Sequence, residues 1–238
     1  MMPIFKFQIL DFRRPVFKAY PKYKDSGVEW LGQVPAHWAL SRLSRLTRLQ
    51  SGKRVSGQGH ECEKIYSVGG EHIQNLNFYL EENPCYLPPT FWSDQTQGKI
   101  QPNDVLLVKD GATIGKLLFV RAMPSPRMLV NEHVFRVIAR PAYQPLFCYY
   151  SIQSDLFQAQ MWQTVMASAQ PGITREFAKQ VYLPLPPPQE QTAIAAFLDR
   201  ETAKIDALVA EQQRLIELLK EKRQALISHA VTKGLNPT

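Results

Sequence analysis

"VYLPLPPPQEQTAIAAFLDRET" (Val181 to Thr202) sets four prolines within residues 184 to 188 and then turns at once into helix-forming sequence. Proline fixes φ and removes an amide donor, so the run reads as a rigid spacer that ends one folded unit. Pro188 suits the first position of a helix, and Glu190 suits its first turn electrostatically. With Leu198 as heptad position a, the series is Leu198, Ile205, Gln212, Leu219 and Leu226. The d positions are then Glu201, Leu208, Leu215, Lys222 and His229, and Val209 and Ile216 widen the stripe. This spacing predicts one helix from Gln189 to Val231, about 43 residues and roughly 60 Å long, stopped by Gly234. A single body of this size covers no stripe of that length, so the helix requires a partner helix.

Upstream, the texture is mixed. "YPKYKDSGVEWLGQVPAHW" (Tyr20 to Trp38) is dense in Pro, Gly and aromatics and reads as an ordered loop, with Trp30 and Trp38 buried against the body. In "LSRLSRLTRL", Leu40, Leu43, Leu46 and Leu49 recur every third residue with Arg42, Arg45 and Arg48 between them, which predicts a short helix ended by Gly52. Those three arginines suit a solvated helix face as well as they suit a polyanion. "EKIYSVGG" and "HIQNLNFYL" read as short strands. "DVLLVKDGATIGKLLFV" (Asp104 to Val120) is a hairpin signal around Asp110-Gly111. "NEHVFRVIAR" (Asn131 to Arg140) alternates as a strand, which makes His133 a satisfied core histidine. "LFCYYSIQSDLFQAQMW" (Leu146 to Trp162) has helical spacing. The fold class is therefore α+β: one mixed body followed by a long C-terminal coiled-coil helix. The expected division is a tail at 1–19, the body at 20–188 and a helical spacer and dimerisation region at 189–238.

Composition bounds the function. The 238 residues are 45% hydrophobic and 21% charged, as in a folded water-soluble protein. No apolar run reaches the roughly 18 residues that span a membrane, and Lys6, Asp11, Arg13 and Arg14 break up the start, which argues against a secretory signal. Three cysteines, Cys62, Cys85 and Cys148, without a CxxC pair point to buried free thiols in a reducing cytoplasm. The net charge of +7 is uneven: residues 1–60 hold eleven Lys/Arg against three Asp/Glu, while residues 189–238 hold seven of each. A basic patch on a balanced body suits a polyanion, because each phosphate contact releases counterions. Plain solubility is the bland reading of such a charge, and composition alone favours nucleic acid only slightly.

The sequence lacks the familiar catalytic signatures. "GATIGKL" (Gly111 to Leu117) approaches a phosphate-binding loop, but it is one residue short between glycines and lacks Ser/Thr after Lys116. There is no Asp/Glu-x-Lys tripeptide, no Asn-Pro-Pro-aromatic loop and no Gly-x-Gly-x-x-Gly. His60, Cys62, His72 and Cys85 have a spacing that fits no structural zinc site. The expectation is a chain with no catalytic residues, no metal and no cofactor of its own.

Three segments, in order, carry a resemblance. "YPKYKDSGVEWLGQVPAHW", "KIQPNDVLLVKDGATIGKLLFV" and "GITREFAKQVYLPLPPPQEQTAIAAFLDRETAKIDALV" together resemble a type I restriction-modification specificity subunit over about residues 20 to 235. The resemblance is to a half-length form, with one target-recognition domain and one helix in place of two of each. It implies a non-catalytic reader of double-stranded DNA that works with methyltransferase and restriction subunits in the cytoplasm. It also implies that two helices pair antiparallel as a ruler, and that the proline stretch joins ruler to reader. Charge and loop placement nominate Lys53, Arg54, Lys109 and Arg175 as DNA-binding residues, with Lys22 and Lys24 for phosphates. Leu198, Glu201, Ile205, Leu208, Gln212, Leu215, Leu219, Lys222 and Leu226 are the expected dimerisation residues, giving a homodimer that reads a bipartite, inverted site. The alternative is a coiled-coil adaptor whose body binds protein without DNA specificity.

Overall fold

The computed structural model describes residues 19–28, 31–54, 59–74, 77–81, 83–166 and 172–235. The expected N-terminal tail, up to residue 18, and Trp30 lie outside the described residues. The first strands are β1 (Tyr23–Asp25), β2 (Gln33–Pro35), β3 (Ala39–Arg42) and β4 (Thr47–Ser51), with the short helix α1 (Leu43–Leu46) between β3 and β4. Next come β5 (Ile65–Val68), β6 (Ile73–Gln74), β7 (Asn77–Phe78) and the helix α2 (Pro89–Asp94). They are followed by β8 (Val105–Val108), β9 (Leu117–Phe119), β10 (Arg127–Val130) and β11 (Val134–Ala139). Helices α3 (Pro145–Gln153), α4 (Asp155–Met166) and α5 (Phe177–Gln180), strand β12 (Tyr182–Leu185) and helix α6 (Pro188–Lys233) follow.

The centre is a four-stranded antiparallel sheet in the order β4-β11-β8-β9. All four residues of β8 are buried, so the sheet is covered on both faces. Successive side chains point to opposite faces. Val105, Leu107, Phe135 and Val137 accordingly join a core with α3, α4 and the base of α6. Leu106, Val108, Leu118 and Val134 join a second core with Ile73, Met128 and Val130, beside the parallel pair β5–β10.

The expected hairpin is present, but its turn is not a tight Asp-Gly pair. β8 meets β9 in the register Leu107↔Leu117, and residues 109–116 form an extended loop between them. The expected helix in "LSRLSRLTRL" is only partly formed. Leu43–Leu46 is one helical turn, after which Thr47–Ser51 becomes an edge strand of the central sheet, paired along its length with β11. A five-residue ladder outweighs the weak helical preference of that sequence. Leu146 to Trp162 is helical but divided at Ser154, whose extended backbone closes α3 while its hydroxyl accepts from Phe157 N.

The proline run also differs from a free spacer. Pro184 and Leu185 belong to β12, paired with β3, where a missing amide is tolerated at a sheet edge. Only Pro186 and Pro187 remain between this strand and α6. The joint is held by Gln191, buried to 1% exposure. Its amide donates to Ala142 O at 3.1 Å and Pro186 O at 2.9 Å, and its carbonyl accepts from Gln144 N at 2.8 Å.

Two carboxylates tie the base of α6 to the body. Glu190 accepts from Tyr20 Oη (2.8 Å) and Trp38 Nε1 (2.9 Å) and pairs with His37 Nε2 (2.6 Å). Partial desolvation pushes its pKa up, but these three bonds outweigh that and hold it below the usual carboxylate range. Asp199 Oδ1 accepts from Arg121 Nη2 and from Tyr150 Oη (3.0 Å), and the same hydroxyl meets Thr202 Oγ1 at 3.1 Å. From Ala203 to His229, α6 is exposed at every position.

Candidate nucleic-acid interface

The strand directions gather five loops at one end of the central sheet. Ser51 pairs with Phe135 and Leu107 with Leu117, so the loops at 52–54, 109–116 and 131–133 emerge together. Gly52 N donates to Asn131 O at 3.1 Å, and Val130 N donates to Gly98 O at 3.0 Å, adding the turn at Gly98. Ile173 N donates to Lys109 O at 2.7 Å, which brings in the loop that carries Arg175.

Of the six residues proposed for DNA, four share this end: Lys53, Arg54, Lys109 and Arg175. Lys53, Arg54 and Arg175 are exposed and make no ion pair among the described residues. Lys109 is different. Its Nζ donates to Asp110 Oδ2 at 2.7 Å and lies 5.7 Å from the Phe135 ring centroid. Asp110 also takes His133 Nδ1 at 2.5 Å. Burial pushes the Asp110 pKa up, but the bonds from Lys109 and His133 prevail and hold it below the usual carboxylate range. Lys109 thus brings little net charge to the surface and serves to order the loop.

His133 corrects the sequence reading. It precedes β11 and is not a core residue: its side chain is 54% exposed. Lys116 was passed over, yet it is an exposed cation on the same hairpin loop. The signal was available, since Lys116 lies between Gly115 and the apolar run of β9.

Lys24 is exposed on β1 and Lys22 just before it; β1 pairs with β2 and lies beside Tyr20, His37 and Trp38 at the base of α6. That base touches residues 142–144, past the other end of β11. A six-residue strand is about 20 Å long, so these lysines lie roughly that far from the loop end.

The other candidates serve structure. His72 Nδ1 accepts from Gly69 N at 2.9 Å and its Nε2 pairs with Asn83 O at 2.7 Å. Among the described residues no group of three or more His, Cys, Asp or Glu is placed to hold a metal ion. Of the cysteines only Cys148 is buried, its thiol pushed up by desolvation; Cys62 is exposed and Cys85 half-buried, contrary to expectation. Among the described residues no helix is long and apolar enough to cross a membrane.

Among the described residues nothing covers the helix stripe beyond the base of α6. Ile205 is 54% exposed, Leu208 64%, Leu215 47%, Leu219 55% and Leu226 62%. Leu198 and Glu201 are half-buried at the edge of the body.

Known proteins are similar to this chain in sequence and in fold. The MjaVIII type I restriction enzyme specificity subunit of Methanocaldococcus jannaschii is 23% identical over 229 residues, which is 93% of this chain and 51% of the relative. The chain therefore spans about half the length of that curated relative. A chain from a structure of type I R-M complex assembly and conformational transition superposes with a TM-score of 0.62 at 20% identity, covering 85% of this chain and 47% of the other. The HsdS subunit of Thermoanaerobacter tengcongensis gives 0.56 at 19% identity, covering 90% and 48%. The profile described as "Type I restriction modification DNA specificity domain" matches residues 91–218, more than half of the chain, from α2 through the hairpin into the exposed part of α6. The chain belongs to the type I restriction-modification DNA specificity family.

Proposed function

We propose that this chain is a DNA-recognition subunit of a type I restriction-modification system, acting in the cytoplasm as an antiparallel homodimer that reads a bipartite site with inverted halves. Residues 20–188 form the target-recognition domain and residues 189–238 the spacer and dimerisation region. Methyltransferase and restriction subunits dock on it and supply the chemistry that uses S-adenosylmethionine and ATP; the chain itself performs no catalytic step.

The exposed apolar stripe along α6 carries this reading, because apolar surface of that length demands a second helix. Charge indicates direction. A parallel in-register pair would set Glu201 against Glu201 and Lys222 against Lys222 in the seam. An antiparallel pair with its dyad midway between them sets Glu201 against Lys222, Ile205 near Leu219 and Leu198 near Leu226. The dyad then falls beside Gln212, where two amides can pair and fix the register. The bodies lie toward opposite ends of a 46-residue helix, roughly 69 Å long, and a two-fold protein calls for a two-fold site. The loop set Lys53, Arg54, Lys109 and Arg175 meets one stretch of duplex. Lys22 and Lys24 meet phosphates on its flank.

Mapping methylated bases in a host that carries this gene and its methyltransferase partner tests the reading. Light scattering on the chain should return twice 27.2 kDa, and spin labels at residue 198 of the two protomers should be far apart. A monomer, a short 198-to-198 distance, or an asymmetric methylated sequence with this chain as the sole specificity subunit would overturn it.

A further inference from the structure

The direction of α6 relative to the body is fixed by side chains far apart in sequence. Glu190 binds a strap, Tyr20 to Trp38, through three donors that approach both carboxylate oxygens. Tyr20 also packs edge-on against Trp38, with ring centroids 5.9 Å apart. Nine residues on, about 14 Å along the axis, Asp199 binds Arg121 beyond β9 and Tyr150 on α3. One attachment point leaves a rod free to rock; two points on different parts of the body do not. Gln191 and Ala195, both 1% exposed, seat the intervening turn. After Thr202 the helix makes no further hydrogen bond to the body among the described residues.

The lever is long enough to matter. The basic loops lie about 20 Å from this pivot, the length of β11. Rocking by about 10° moves them roughly 3.5 Å, which is one nucleotide step along a strand of duplex. In a dimer both bodies rock, so an unclamped pair tolerates errors of one step on each side. We propose that Glu190 and Asp199 are positioning residues that set the number of base pairs between the two half-sites, by holding each reader at one angle to the helical ruler. This inference rests on the proposed reading of a bipartite site. It adds that helix length alone does not fix the spacing, because a ruler with loose ends measures nothing.

The test has two parts. In a Cys62→Ser, Cys85→Ser background, spin labels at Asp94→Cys on the body and Glu217→Cys on the outer face of α6 report the angle within one chain, diluted with unlabelled chain. The parent protein should give one narrow distance distribution. Glu190→Ala with Asp199→Ala should widen it at least twofold with unchanged far-ultraviolet circular dichroism. Trp38→Phe, which removes a single donor and leaves a smaller aromatic ring, should widen it by a smaller factor. Retention is then measured on duplexes that carry the mapped half-sites with the spacer changed one base pair at a time. The parent should select one length about tenfold over its neighbours; the double variant should bind lengths one pair shorter and longer within about twofold. An unchanged distance width overturns the clamp. A widened distribution with undiminished spacer selectivity overturns the spacing role and leaves DNA reading intact. If the parent retains no duplex of any spacing, the recognition reading falls and the spacing role falls with it.

Discussion

Gly52 sits where two loops of the basic end cross. A Cβ there would lie 1.6 Å from Val130 O and 2.6 Å from its carbonyl carbon, both backbone atoms that cannot rotate away. Gly52→Ala should therefore cost about 2–3 kcal/mol or more, read as a lower urea midpoint at unchanged slope. It should also weaken DNA retention by displacing Lys53 and Arg54. Glu190 gives a second prediction at this scale. Its folded pKa lies below the unfolded value, so the stability it contributes is present above the unfolded pKa and lost as pH falls through the folded one. Thermal melts at a series of pH values should show wild type above Glu190→Gln in Tm at pH 7. The gap should begin to narrow at about pH 4, where free carboxyls protonate, and should close as the pH falls through the lower folded value. A gap that does not narrow at all below about pH 4 would mean that hydrogen bonds to a neutral acid carry the contact.

At the scale of elements, the proposed dimer rests on α6 and the proposed reading end on the hairpin loop. Leu208 and Leu215 occupy successive d positions and are both exposed. Leu208→Asp with Leu215→Asp should halve the mass seen by sedimentation equilibrium, with circular dichroism of the body retained, because two charges at the seam cannot be buried unpaired. A variant that remains at the parent mass would place the interface elsewhere.

The long helix was legible because a heptad period runs through five repeats, and the hairpin because two apolar runs flank a glycine turn. What a period cannot encode is pairing at a distance. Thr47 to Ser51 looked helical since Leu43, Leu46 and Leu49 are spaced by three. Their fate is set by β11, more than eighty residues away. His133 looked internal because the strand was read as starting three residues early. Glu190 was read only as a favourable charge in a first turn; its three donors lie at least 152 residues upstream, and local sequence carries no trace of them.

Across the whole molecule, charge is unevenly deployed. The helix is balanced, while the loop end gathers Lys53, Arg54, Lys116 and Arg175 without partners among the described residues. Reversing Lys53 and Arg54 together should lower the slope of log K against log salt by about two, one per lost phosphate contact, with the melting curve unchanged. The same reversal at Lys109 should instead lower stability, since it would set two acids side by side at Asp110. Equal slopes for wild type and the Lys53/Arg54 variant would remove those residues from the interface.

The strap on Glu190 has a consequence for how the molecule is made. Tyr20 and Glu190 are 170 residues apart, and a ribosome adding about 5–20 residues per second needs roughly ten to thirty seconds to travel between them. Throughout that time the strap has nothing to hold. Every described strand of the body has been made before Ile205, the first residue of the exposed stripe, is added. Neighbouring chains growing on one message thus expose no seam to each other while their bodies are incomplete. For the proposed dimer, order of synthesis would place assembly after construction, with the strands of each body already in hand.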